Sequence, residues 1–100
     1  MTFGESIEAL KNGERVAREG WNGKGMFLVL VPGSRISAND MRNGTMRAYY
    51  RNMGHDYVDI KPHIDMKAAD GTMAIGCTAS QADMLADDWF IVGGNSNEQK

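Results

Sequence analysis

The sequence predicts an α+β fold, a small single domain with a mainly antiparallel sheet, an N-terminal helix and a short second helix. Three observations predict it. Phe3, Ile7 and Leu10 recur at i, i+4 and i+7, one apolar stripe of a helix. Ile60, Pro62, Ile64 and Met66 alternate with Lys61, His63, Asp65 and Lys67, and Asp70-Gly71 follows as a hairpin dipeptide. Met26 to Val31 is apolar at every position, as in a strand covered on both faces. A chain of 100 residues has room for one such core.

The first element is expected over residues 3–12. Thr2 and Glu5 have capping-box spacing, Lys11 suits the negative end of the helix dipole, and Gly13 suits the position after it. Arg15 to Glu19, with Val16 as its main apolar member, reads as an edge or half-buried strand. Gly20, Gly23 and Gly25 then break regularity around Trp21, Asn22 and Lys24, and Pro32-Gly33 ends the apolar strand. Between 33 and 59 the pattern is weakest. Ser37 with Asp40, and Thr45 ahead of Met46 to Arg51, are candidate openings of short helices closed by Gly44 or Gly54.

Read as a two-residue type I′ turn, Asp70-Gly71 sets Ala69 against Thr72. Ile64, Met66 and Ala68 then oppose Cys77, Ile75 and Met73 on an apolar face. On the other face His63, Asp65 and Lys67 oppose Thr78, Gly76 and Ala74, long polar groups over small ones, with room for a ligand. Ser80 to Asp83 repeats the capping spacing and predicts a helix of about two turns with Met84 and Leu85 inward, because Asp87 and Asp88 oppose its dipole. Trp89 to Val92 reads as a last core strand. The domain is expected over 1–93, with 94–100 a disordered tail.

Thirteen acidic against 11 basic residues give a net charge of −2, which disfavours duplex DNA or RNA and anionic membrane as partners. The single cysteine excludes an internal disulfide and the multi-cysteine zinc motifs, and suits a reducing compartment. No apolar run approaches the about 20 residues of a membrane span, and the start lacks the basic region of a secretory signal. A cytoplasmic protein is expected.

Catalysis has little to stand on. His63 and Asp65 share a strand face, but alternation alone generates such pairs and no reacting partner accompanies them. Cys77 is expected to face Ile64 in the core, as a small hydrophobe. No ligand spacing suggests a metal, so catalytic residues, metal and cofactor are all expected to be none. The Gly20 to Gly25 stretch says more. Its glycines let backbone N–H groups approach an anion, Trp21 offers a stacking plate, Asn22 can read a base edge and Lys24 can balance a phosphate. From spacing alone, the same residues fit a glycine-rich turn whose Trp plugs the core somewhat better. Four of the six arginines (Arg35, Arg42, Arg47, Arg51) fall in the irregular middle, either solvated beside Asp40, Asp56 and Asp59 or forming a phosphate-facing lid.

Val16 to Phe27, Pro62 to Lys67 with Ala69-Asp70-Gly71, and Ala79 to Trp89 together resemble three ordered blocks of the Thoeris anti-defence two family of phages and prophages. The resemblance covers roughly 3–33 and 57–92. It implies a sponge that binds a cyclic ADP-ribose-type signal without degrading it, or for some members cyclic oligonucleotides, in the cytoplasm of the bacterial host. It also implies a homo-oligomer, typically a tetramer, with pockets between subunits. Carried over by position, it implies Trp21 for base stacking, Asn22 and Gly23 for polar and backbone contacts, and Ser80 and Gln81 at a helix N-terminus. Lys24, His63 and Asp83 follow. Gly76-Cys77-Thr78 stands where the family often has a Pro-Trp pair, and segment 34–56 departs from its pattern. Two other readings remain open: an inhibitor that binds a host protein directly, and a nucleotide-cleaving enzyme using His63 and Asp65.

Overall fold

A computed structural model describes residues 1–21 and 24–93. In chain order the elements are α1 (Phe3–Lys11), β1 (Arg15–Arg18), β2 (Phe27–Val31), β3 (Ser34–Ser37), α2 (Gly44–Asn52), β4 (Tyr57–Ile60), β5 (His63–Lys67), β6 (Met73–Ala74), α3 (Gln81–Leu85) and β7 (Trp89–Val92). They fall into two compact units, one of Met1–Val31 with the chain from His63 onward, the other of Pro32–Pro62. The class is α+β, as the sequence predicts.

The first unit is an antiparallel sheet in the order β6-β5-β2-β1-β7. The capping box of α1 forms as expected, with Thr2 Oγ1 accepting the Glu5 N–H and Glu5 Oε1 accepting the Thr2 N–H. Leu10 and Ala9 of that helix pack with Val16, Leu28 and Trp89, and Leu30, Ile64, Met66 and Cys77 border this cluster. Burial of these side chains from water is the main force holding helix to sheet. β1 is not an edge: it is flanked by β2 and β7, and Val16 and Ala17 are buried. The edges are β6 and β7, and on β7 Phe90 and Ile91 stay exposed while Trp89 is fully buried. A short strand with charged residues at both ends reads as an edge, yet Arg15 and Arg18 both find places inside the unit.

The hairpin register differs from the two-residue reading. Gly71 N–H donates to Ala68 O, Ala68 N–H to Thr72 O, and Asp70 Oδ1 accepts from the Thr72 N–H and hydroxyl. The loop is therefore Ala69-Asp70-Gly71, with Gly71 at φ +90 closing a type I turn. Met66 then faces Ala74 and Lys67 faces Met73, one residue off the expected pairs. A slip of one turns side chains over, and Met73 and Ile75 accordingly point outward, Ile75 at 71% exposure. The slip is undone farther on. Cys77 N–H donates to Ile64 O, so an extra residue sits between Ala74 and Cys77, with Gly76 at φ +79 and its N–H turned to Asp65 Oδ1 at 2.9 Å. This is a bulge. Cys77 is left on the core as expected.

α3 is shorter than two turns and does not bury its apolar side chains: Met84 is exposed and Leu85 is 85% exposed. Its capping box between Ser80 and Asp83 does form. Among the described residues no helix is long and apolar enough to cross a membrane.

In the second unit, β3 pairs antiparallel with β4, Ser34 against Ile60 through Ser37 against Tyr57. A 3₁₀ turn, Ala38–Asp40, follows the Ser37 cap. α2 begins two residues before the expected opening, because Asn43 rather than Thr45 accepts the first free N–H, that of Met46. It ends at Gly54 as expected, with Gly54 N–H on Arg51 O and His55 N–H on Tyr50 O. Val58 and Ala38 are buried, and Arg35 forks onto Asp59 at 2.7 and 3.1 Å.

Candidate functional site

The glycine-rich turn after β1 is held by one carboxylate. Asp88, just before β7, takes Arg18 Nε on Oδ1 at 2.7 Å and the Gly20 N–H on Oδ2 at 2.8 Å, while its carbonyl takes the Glu19 N–H. A Cβ at Gly20 would lie 2.9 Å from that Oδ2, so a side chain there would break the clamp. Asp83 of α3 is the second anchor. Its Oδ1 accepts from Arg18 Nη1 at 2.8 Å and from the indole N–H of Trp21 at 3.1 Å, and its carbonyl takes the indole N–H of Trp89 at 2.9 Å. Trp21 is half-buried and meets Trp89 edge-on, ring centroids 5.4 Å apart at 79°.

Electrostatics follow from these contacts. Hydrogen bonds from Arg18 hold the Asp88 carboxyl below its ordinary value despite some desolvation. Burial pushes the Asp83 carboxyl up, but the bonds from Arg18, Trp21 and Ser80 outweigh it and leave Asp83 low. The Arg18 guanidinium is raised in turn by Asp88 and Asp83. All three stay charged at neutral pH.

Beside this network a cavity of about 280 Å³ opens over Ala17, walled by Trp21, Lys24, Gly25, Met26 and Phe90, with Arg18 and Glu19 at its border. Trp21 packs against the core at Trp89 and is also among the residues lining this cavity. Of the residues singled out in the sequence, Trp21 and Lys24 line this cavity, and Asp83 fixes the indole from behind. Ser80 is two bonds from it, its hydroxyl accepting the Asp83 N–H at 3.1 Å as a cap. Gln81 is exposed at the first residue of α3. Asn22 and Gly23 lie outside the described residues.

His63 is elsewhere. It faces Val31 at the opposite end of β2 from Phe27, four residues or about 13 Å along the strand. Its Nε2 is 3.5 Å from Asp65 Oδ1, the pairing the strand alternation predicts, and that oxygen also accepts the Gly76 N–H. Burial pushes the Cys77 thiol up, with the Asp83 charge adding to it, the opposite of what a nucleophile needs. Among the described residues no group of three or more His, Cys, Asp and Glu is placed to hold a metal ion. Arg18 and Asp88 carry the site's architecture and were not legible as a pair, since 70 positions separate them.

In the second unit a cavity of about 390 Å³ is bordered by Asn39, Arg51, His55, Asp56 and Tyr57.

Residues 1–92 match the family model of the Thoeris anti-defense 2-like domain. The chain is also similar to Thoeris anti-defense 2 of Bacillus phage SP01, 38% identical over 92 residues that cover 92% of this chain and 94% of that protein.

Proposed function

Since the chain belongs to the Thoeris anti-defense 2-like family, with a phage anti-defence role, we propose that it binds and sequesters a cyclic ADP-ribose-type nucleotide without cleaving it. The observation that carries this reading is Trp21, whose indole is held by Asp83 and Trp89 and which lines a cavity together with Lys24. A plate fixed before the ligand arrives loses little freedom on stacking, and base–aromatic stacking contributes about 1–3 kcal/mol. Lys24 supplies charge for phosphate, and Asn22 and Gly23 stand between it and Trp21 in the sequence.

A sponge holds its ligand and does no chemistry on it. The raised Cys77 thiol and the Asp65 carboxylate engaged by a backbone N–H support binding over turnover. The cavity also argues for assembly. At about 280 Å³ it is smaller than the roughly 300–1,000 Å³ that encloses a drug-sized ligand. A homotetramer with pockets completed between subunits, acting in the host cytoplasm, meets that need, and Ser80, Gln81 and His63 are the residues such a neighbour would bring or meet.

The test is to incubate the protein with cyclic ADP-ribose, remove it by filtration, and assay the filtrate before and after heating the retained protein. Depletion followed by release of intact nucleotide supports sequestration. A cleaved product would mean an enzyme, and an undepleted filtrate with a co-purifying host protein would mean direct inhibition of that protein.

A further inference from the structure

On the sheet face turned away from α1, Lys67, Phe27, Ala17 and Phe90 form one row across β5, β2, β1 and β7. Ala17 is the small member, and the cavity beside Trp21 lies over it. Arg15 sits two residues back on β1, on the same face. Its guanidinium carbon is 5.0 Å from the Phe27 ring centroid, and Lys67 Nζ is 5.7 Å from the same centroid. Lys67 also donates to Gly25 O at 3.0 Å, which brings its ammonium to the cavity wall.

Neither cation makes a direct ion pair among the described residues. Among the described residues no carboxylate pairs with Arg15 or Lys67, and Arg15 Nη2 is buried with no acceptor. The acids nearby are otherwise placed: Asp70, whose carboxyl the Lys67 charge helps to lower, holds the Thr72 N–H and hydroxyl, Asp65, on the same face, holds the Gly76 N–H and stands beside His63, and Glu19 borders the cavity. A buried donor without a partner costs free energy, a ring face compensates a cation only in part, and two cations on one ring repel. A bridging anion removes all three costs at once. Arg presents a fork suited to phosphate and Lys a point charge, so a group with two linked charges fits the pair.

We propose that Arg15 and Lys67, which both approach the Phe27 ring, form the phosphate-binding half of the site and take the diphosphate of a nucleotide whose base lies against Trp21. This rests on the nucleotide-binding reading and assigns its anionic end.

The experiment titrates the full-length protein with cyclic ADP-ribose, adenosine and inorganic pyrophosphate by calorimetry, comparing wild type with Arg15→Met and Lys67→Met, which keep the apolar stems. Expected is binding of pyrophosphate to wild type, weakened about tenfold or more in each variant, with the same loss for cyclic ADP-ribose and none for adenosine. Should Arg15→Met fail to fold, Lys67→Met carries the test. Pyrophosphate affinity unchanged in the variants, or no pyrophosphate binding to wild type, overturns the proposal. If pyrophosphate binds through these residues but cyclic ADP-ribose does not bind, the anion site stands and the nucleotide reading falls. If cyclic ADP-ribose binds equally to all three proteins, the reading stands and this site falls.

Discussion

The indole N–H of Trp21 donates to Oδ1 of Asp83, the same oxygen that accepts Arg18 Nη1. One carboxylate thus fixes the plane of the candidate stacking residue and ties α3 to the end of β1. Asp83 holds Trp21 in place, its oxygens accepting from Arg18, Trp21 and the Ser80 N–H.

Removing that carboxylate loosens both halves. Asp83→Ala deletes the Trp21 acceptor, one partner of Arg18 and the reciprocal half of the α3 capping box. The expected loss of stability is about 1–3 kcal/mol, measured by chemical denaturation. Asp83→Asn, which keeps an acceptor, should retain more nucleotide affinity than Asp83→Ala.

Trp21→Ala is expected to abolish binding of cyclic ADP-ribose while far-UV circular dichroism stays that of wild type. The indole is half-buried, so its loss costs less than a fully buried aromatic, about 1–3 kcal/mol. A variant that does not fold would show the indole to be core filler.

Acid should unfold the protein through the Arg18 cluster. Asp88, held low chiefly by Arg18, and Asp83, held low against its own burial, bind protons less readily folded than unfolded. Their contribution is therefore present above the ordinary carboxylate pKa of about 3.9 and is lost as pH falls through the depressed folded values. Melting temperature is expected to be flat from pH 7 to about 5 and to drop below about 4, less steeply in Asp88→Asn.

The outward turn of β6 is open to the same kind of check. Ile75→Ser and Leu85→Ser change residues that are 71% and 85% exposed, and each is expected to shift stability by no more than about 0.5 kcal/mol. A loss of several kcal/mol at Ile75 would mean that the hairpin has the register of a two-residue turn.

Periodicity and capping carried most of the first unit. Thr2 with Glu5, the stripe Phe3-Ile7-Leu10, and the alternation through Ile64 and Met66 act over a few residues, where sequence spacing and space coincide. The hairpin was misread because Asp-Gly serves a three-residue loop as well as a two-residue one, and the choice rests on Asp70 accepting from Thr72. β3 and β4 were missed because Ser34-Arg35-Ile36-Ser37 offers one apolar residue to read. At the site, Trp21 and Lys24 stood out as residue types in a glycine-rich turn. The bonds of Asp88 and Asp83 to Arg18 span 70 and 65 positions, and Arg15 over Phe27 depends on which strands are neighbours. Such relationships belong to topology and leave no local trace.

Native mass spectrometry of the protein mixed with cyclic ADP-ribose tests the account most directly, since it weighs the complex and its cargo together. The account predicts an oligomer that gains the mass of the intact cyclic nucleotide and loses that gain in Trp21→Ala. Protein that stays at its unliganded mass, or cargo heavier by one water, would contradict it.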